Sequence, residues 1–188
     1  MNWNTYISLF EDIISQEHTE APYDNENFVN YVSLNFTRQN RWFKRGMIIE
    51  ELKAEIEKIT EPQEWILITE PWCGDAAHSS PFLYMASELN DNISFRVNLR
   101  DGEDSLIDDY LTNGKSKSIP IMVVRDKDGN DLFVWGPRPK DAQTLYLEHR
   151  NDETKSNEDK KIELQAWYNK NKGVDIQMEL VEKLKSLR

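Results

Sequence analysis

The sequence predicts an α/β protein with a central mixed sheet of about four strands flanked by helices, and with helices added at both ends of the chain. Apolar residues recur at helical spacing throughout the N-terminal third. Short runs rich in β-branched residues then alternate with helical segments. Residues 119–136 hold two such runs around Asp128-Gly129, which is typical of a β-hairpin. Because a strand, a helix and a strand precede this hairpin, we expect parallel and antiparallel pairs in one sheet.

The N-terminal part of the chain predicts three helices. Residues 3–17 and 26–45 carry apolar side chains at helical spacing, and residues 48–59 place three isoleucines and a leucine on one side. The stretch "TEPQE" ends the third helix. We therefore expect residues 1–60 to form a helical extension packed on the core, and residues 61–188 to form the main domain with extended C-terminal helices.

The rest of the chain predicts a strand, a helix, a strand, a short helix, the hairpin and two helical segments. In order, these elements lie at residues 65–69, 75–89, 93–99, 104–114, 119–136, 143–170 and 175–187. The first strand is short, apolar and β-branched, as a strand buried on both faces is. Within the long helical segment, "RNDETKSNEDKK" is almost wholly polar. It is either an exposed helical stretch or a mobile loop.

The charge of the chain restricts its partners. There are 34 Asp and Glu against 23 Lys and Arg, a formal net charge of -11. This excess repels nucleic-acid phosphates and anionic membrane surfaces, so we expect no nucleic acid and no membrane as partners. No basic segment followed by an apolar stretch begins the chain, and no apolar run approaches the ~20 residues of a membrane span. We expect a cytoplasmic protein. The one cysteine cannot form an internal disulfide.

Four features occur in a characteristic order along the chain. Trp72-Cys73-Gly74 directly follows the first predicted strand, and Pro81 comes eight residues after the cysteine. Ile119-Pro120 opens the hairpin, and Gly136 follows its second strand. With the order of elements over residues 65–143, these features resemble the thioredoxin-like family. The resemblance implies a thioredoxin-like fold, a helix kinked at the first proline, and a cis-proline that faces the sulfur from the hairpin.

Other positions depart from the family's usual pattern. Where a C-x-x-C site has its second cysteine, this chain has Ala76, so the sequence reads C-x-x-A. Leu67 stands where dithiol thioredoxins commonly carry a buried acid, and Asp75 replaces the proline between the two cysteines. A mixed disulfide on Cys73 therefore has no neighbouring thiol to resolve it. We do not expect a conventional dithiol disulfide reductase.

Cys73 is the predicted catalytic residue. A thiol at the start of a helix lies near unpaired N–H groups and the positive end of the helix dipole, which favours the thiolate. This predicts a lowered pKa, although the carboxylates of Glu70 and Asp75 oppose it. His78 is predicted chiefly as a surface or capping residue, and the alternative is an acid/base partner of the thiol.

The resemblance also implies a binding platform around the thiol. In the family, the backbone before the cis-proline pairs with an extended substrate, a small instance of β-addition. The predicted substrate-binding residues are Trp72, Gly74, Asp75, Ala76, Ile119 and Pro120. The alternative for Ile119-Pro120 is a plain strand-opening proline. Lys115, Lys117 and Arg138 either attract an acidic peptide or thiol, or are ordinary solvated loop charges.

A second stretch, "NFTRQNRW", lies in the predicted second helix. It resembles an Arg/Asn/Trp-rich stretch in a narrower group, the bacterial thioredoxin-family proteins with a helical N-terminal extension. We expect Trp42 and Phe43 to pack in the core, as aromatic residues usually do, and not to contact a cofactor. The basic residues Arg38 to Arg45 are expected to be solvated or paired within the molecule.

These observations leave three functions open. The first is monothiol thiol–disulfide exchange, in which Cys73 forms a mixed disulfide that an external thiol resolves. Its partners would be a protein disulfide or a low-molecular-weight thiol such as glutathione. The second is a redox-inactive binding or adaptor module, and the third is redox sensing through Cys73 oxidation. The spacing of the three histidines and the cysteine predicts no metal site, and we expect no cofactor. The sequence does not indicate an oligomeric state.

Overall fold

The computed structural model describes all 188 residues. Its helices α1 to α7 span Trp3–Ile14, Glu26–Arg45, Glu50–Ile56, Gly74–Ser87, Lys140–Asn151, Asn157–Asn171 and Val174–Lys185. Its strands β1 to β4 span Gln63–Thr69, Ile93–Leu99, Ile121–Asp126 and Asp131–Trp135, with a 3-10 turn at Ile107–Asp109. None of the helices has both the length and the apolar character that crossing a membrane requires.

The four strands form one mixed sheet in the order β2-β1-β3-β4. Strand β1 pairs parallel with β2 and antiparallel with β3, which pairs antiparallel with β4. Leu67 at the centre faces Val97 on one side and Met122 on the other. This arrangement confirms the predicted fold class, a thioredoxin-like α/β fold with additional helices.

The two faces of the sheet are covered differently because side chains alternate along a strand. Trp65 and Leu67 belong to a large apolar core that also contains residues of α1, α2, α3, α4 and α7. Ile66 and Ile68 point to the other face, where a smaller cluster includes Ile107 and Cys73. Each large apolar side chain buried in this way contributes about 1.5–3 kcal/mol. The cysteine is therefore part of the smaller cluster.

Trp42 and Phe43 pack as the sequence predicts. Trp42 is 5% exposed, and its ring centroid lies 5.5 Å from that of Phe82 in α4. Phe43 lies against the core with its ring centroid 5.9 Å from that of Trp3. Helix α2 is thereby fixed to α4, the helix that begins next to the cysteine.

Two predicted helical segments differ in the structure. In place of a short helix over residues 104–114 there is only the 3-10 turn, because Asn98 holds this loop by accepting the N–H of Leu106 and donating to the carbonyl of Asp104. The segment 143–170 is divided into α5 and α6. Ser156 accepts the N–H of Asp159 and caps α6, so the polar stretch contains a helix boundary.

Candidate functional site

Helix α4 begins directly after the loop that follows β1, and Cys73 is its N-cap residue. The Cys73 side chain is buried, with 6% of the residue exposed. Its thiol donates a hydrogen bond to the carbonyl oxygen of Ile119 at 3.4 Å. The Ile119–Pro120 peptide bond is cis. The structure therefore brings the predicted catalytic residue against the hairpin loop predicted to bind substrate.

Gly136 is required for the position of this loop. Its φ of +129° lies in a region that residues with side chains rarely adopt. A Cβ atom at Gly136 would overlap the carbonyl oxygen of Pro120. The absence of a side chain allows the end of β4 to approach the loop beside the thiol.

An open cleft of about 250 Å³ lies over the thiol. Of the predicted site residues, Trp72, Cys73, Gly74, Asp75 and Ile119 line it. Ala76 and Pro120 are buried and are not among the lining residues. The cations Lys117, Arg138 and Arg100 also line the cleft, whereas Lys115 does not.

The lining cations are largely neutralised by neighbouring acids. The Nζ atom of Lys117 lies 2.8 Å from Asp108 Oδ1, and Arg100 is paired with Asp101 at 2.7 Å. The guanidinium of Arg100 also lies over the Trp72 ring, 4.5 Å from its centroid. These side chains therefore form part of the walls of the cleft but add little positive potential to it.

Asp75 forms a buried polar cluster beside the thiol. Its Oδ2 atom lies 2.6 Å from Nη2 of Arg138, and its Oδ1 atom accepts a hydrogen bond of 2.8 Å from the Tyr168 hydroxyl. The guanidinium of Arg138 lies over the Tyr146 ring, 3.9 Å from its centroid. Tyr168 is 93 positions from Asp75 and carries no local signal, so its place in the site was not predicted from the sequence. The predicted substrate-binding Asp75 is thus held by an ion pair.

The predicted low pKa of Cys73 is not found. Burial, and to a lesser extent the negative charge of Asp75, raises the pKa of the thiol to about 12. The backbone N–H groups of Ala76 and Asp75, together with Arg138, lower the pKa but do not offset the loss of water. Helix-end effects favour the thiolate by about 0.3–1 kcal/mol, less than the cost of burying a charge. The resting thiol is protonated at neutral pH.

Glu70, the other acid near the cysteine, is buried and engaged elsewhere. Its Oε1 atom accepts the N–H of Asp101 at 2.8 Å, and its Oε2 atom accepts the hydroxyl of Tyr23 at 3.4 Å. Burial raises the pKa of Glu70 to about 7. Its backbone carbonyl accepts the N–H of Cys73 at 3.0 Å. Asp75 is therefore the carboxylate whose charge raises the pKa of the thiol, whereas Glu70 stabilises the loop between β1 and α4.

His78 is neither a surface residue nor an acid/base partner of Cys73. It is 2% exposed, and its ring is stacked on Tyr168 with centroids 4.6 Å apart. Nδ1 accepts the indole N–H of Trp42 at 3.0 Å, and Nε2 lies 2.6 Å from Oε1 of Gln165. Since Nδ1 is an acceptor, Nε2 carries the proton and donates it to Gln165. Burial lowers the pKa of His78 to about 3, so the ring stays neutral.

The "NFTRQNRW" stretch lies against the start of α4. Asn35 donates from Nδ2 to the carbonyl of Pro71 at 3.0 Å, and Gln39 accepts from the Ser80 hydroxyl at 3.4 Å. Both side chains are 1% exposed. Together with Trp42 they occupy one face of α2, at positions i, i+4 and i+7. Polar residues at these positions of a buried helix face are the signal by which sequence reasoning could have placed this stretch beside the cysteine.

Comparison with known proteins agrees with this geometry. The family described as Thioredoxin matches residues 22–156. A protein of unknown function from Pseudomonas aeruginosa has a similar structure, with a TM-score of 0.63 and 15% identity over 100% of this chain and 93% of that chain. A crystallised HIV epitope-scaffold is also similar, with a TM-score of 0.59 and 15% identity over 99% of both chains. No curated protein matches significantly. The two structures show the fold alone, whereas the family match covers well over half of the chain. The chain belongs to the thioredoxin family.

Proposed function

We propose that this protein carries out thiol–disulfide exchange with Cys73 as its one thiol. The observation that carries the proposal is the position of the sulfur at the head of α4, beneath an open cleft and in contact with the Ile119 carbonyl. A thiolate formed there accepts the N–H groups of Asp75 and Ala76 and is attracted by Arg138. These groups stabilise negative charge on the sulfur during attack.

The exchange takes place in two balanced steps. First, the Cys73 sulfur attacks a disulfide, its S–H proton leaves, and the released thiolate of the substrate takes up a proton. A mixed disulfide now joins Cys73 to the substrate. Second, an external thiol attacks this bond, releases Cys73 as a thiol and forms a new disulfide. The external thiol is required because Ala76 stands where a second cysteine would be. We propose a protein disulfide or a low-molecular-weight thiol of the glutathione type as the partner.

The test is formation of the mixed disulfide in the folded protein. Glutathione disulfide is added at neutral and mildly alkaline pH, and the intact mass is followed, with Cys73→Ser as the control. We expect one adduct, absent from the variant, that is removed by added reduced glutathione. An adduct that appears only when the protein is unfolded by urea would refute the proposal.

A second candidate is a redox-inactive binding module that uses the same platform. The burial of Cys73 and its pKa of about 12 favour this function, because both keep the thiol unreactive. In this case the sulfur fills space between α4 and the loop at Ile119. Cys73→Ala would then retain every partner that the wild-type protein captures. Loss of partners in this variant would favour exchange.

A further inference from the structure

Two arginines of α2 are half-buried without any carboxylate partner. Arg38 and Arg41 form no ion pair, although the chain carries 34 acidic residues and a net charge of -11. Five other arginines are paired with acids, namely Arg96, Arg100, Arg125, Arg138 and Arg188, and the remaining two, Arg45 and Arg150, are exposed. In a chain with so many acids, a half-buried pair of uncompensated cations requires an explanation.

Neutral amides hold the two guanidinium groups in place. Nη1 of Arg38 donates to Oδ1 of Asn35 at 2.9 Å, and Nη2 of Arg41 donates to Oδ1 of Asn169. The Arg41 guanidinium also lies over the Trp42 ring, 4.5 Å from its centroid, and its Nε is buried with no partner. Amide oxygens orient a guanidinium without cancelling its charge. Burial and the nearby positive charge of Arg41 lower the pKa of Arg38.

The Arg38 guanidinium and the Gln165 amide lie beside Gly74, the residue that follows the proposed reactive cysteine. A Cβ on Gly74, the residue after Cys73, would lie 3.8 Å from Nη1 of Arg38 and 3.7 Å from Nε2 of Gln165. A Cβ there would be in ordinary van der Waals contact with both groups, so the two side chains pack around the head of α4. Two hydrogen-bond donors from different helices, α2 and α6, therefore flank the residue that follows the cysteine.

The buried histidine explains why the Gln165 amide points in this direction. Trp42 donates to Nδ1 of His78, so the proton on Nε2 is directed at Oε1 of Gln165. With its oxygen occupied, Gln165 turns its NH₂ group toward Gly74. The relay from Trp42 through His78 thus orients one of the two donors beside Gly74, and it gives the "NFTRQNRW" stretch a role beyond packing.

We propose that Arg38 and Gln165, with Arg41 behind them, bind the carboxylate of a low-molecular-weight disulfide that reacts with Cys73. This inference rests on the proposed exchange function and names its substrate class as anionic disulfides. A guanidinium and an amide NH₂ together offer the parallel donors that a carboxylate accepts. Binding there supplies the counter-charge that the two arginines lack.

The test compares two disulfide reagents that differ in charge. Dithiobis(nitrobenzoate) carries carboxylates, whereas dithiodipyridine is neutral, and both release a coloured thiol. We expect Arg38→Gln to slow the reaction with the anionic reagent about tenfold, the order of one charge-assisted hydrogen bond, and to leave the neutral reagent unaffected. Arg45→Gln is the matched control, since Arg45 is an exposed arginine without an ion pair at the end of the same helix. It should change neither rate.

Equal slowing with both reagents, or an equal effect of Arg45→Gln, would overturn the proposal. Arg38→Lys, which keeps the charge, should retain part of the preference and guards against a folding defect in the first variant. Direct binding separates this inference from the proposed exchange. In one outcome, no reagent reacts with Cys73, yet the Cys73→Ser variant binds glutathione disulfide in titration calorimetry and loses this binding when Arg38→Gln is added. The proposed exchange is then wrong and the carboxylate site is supported. If Cys73 reacts without regard to reagent charge, exchange stands and the carboxylate site is wrong.

Discussion

Raising the pH is the most direct perturbation of the site, because the chain has one thiol and burial raises its pKa to about 12. Only the thiolate of Cys73 reacts with an alkylating reagent. Well below the pKa, the thiolate fraction rises tenfold for each pH unit. We therefore expect the alkylation rate of the folded protein to rise about tenfold per unit from pH 6 to pH 9.5, without a plateau.

The size of the effect follows from the same pKa. At pH 7 a thiol with a pKa of about 12 is roughly 0.001% thiolate, whereas an ordinary thiol near 8.5 is roughly 3% thiolate. The smaller thiolate fraction by itself lowers the alkylation rate about 3000-fold. A more basic thiolate is also a better nucleophile, which raises the rate by a factor of about 40. Cys73 should therefore react roughly 100-fold more slowly than a free thiol at pH 7, and its burial slows it further.

The assay is the intact mass of the protein at timed intervals with iodoacetamide. Labelling in denaturant supplies the rate of the unburied thiol, and Cys73→Ala shows that no other group is counted. The dependence on reagent concentration must be linear, so that the rate reports the native thiol. A fast plateau with an inflection below about pH 9 would refute the reasoning, because it would show that the helix end outweighs burial.

Three further changes test the groups around the thiol. Asp75→Asn removes the charge that raises the pKa of Cys73, so alkylation at pH 8 should become about three- to tenfold faster in the same mass assay, and an unchanged rate would exclude this coupling. In the folded protein the pKa of His78 is about 3, whereas that of an unperturbed histidine is 6.5. Between these two pH values the unfolded chain therefore binds a proton that the folded chain does not. The wild type should therefore lose about 1.4 kcal/mol of unfolding free energy per pH unit below 6.5 relative to His78→Gln, measured by urea denaturation, and parallel curves would contradict the assignment. Gly136→Ala would place a methyl group on the carbonyl of Pro120 at a positive φ, and we expect it to cost roughly 2–4 kcal/mol in the same experiment, where a neutral effect would argue against this close approach.

The sequence indicated the fold well because the fold depends on local patterns. The apolar, β-branched run at residues 65–69 and the hairpin turn at Asp128-Gly129 are short-range signals, and both elements occur in the structure. The sequence left open whether the polar stretch "RNDETKSNEDKK" is helix or loop, because the two have similar compositions, and the structure places the boundary between α5 and α6 within it. The 3-10 turn was missed because the Asn98 side chain that holds it comes from the preceding strand.

The sequence alone determined three properties: the position of the thiol at the start of a helix, the absence of a second cysteine, and the order of the strands along the chain. The protonation state of the thiol was decided only by the tertiary structure. Helix-end effects act within one turn and can be read locally, whereas burial of Cys73 depends on the Ile119 loop and on the sheet beneath it. The same is true of the partners Tyr168 and Gln165, which lie about 90 residues further along the chain and reach the site only because α6 folds back over α4. Desolvation and long-range hydrogen bonds are properties of packed atoms, so no local pattern in the sequence carries them.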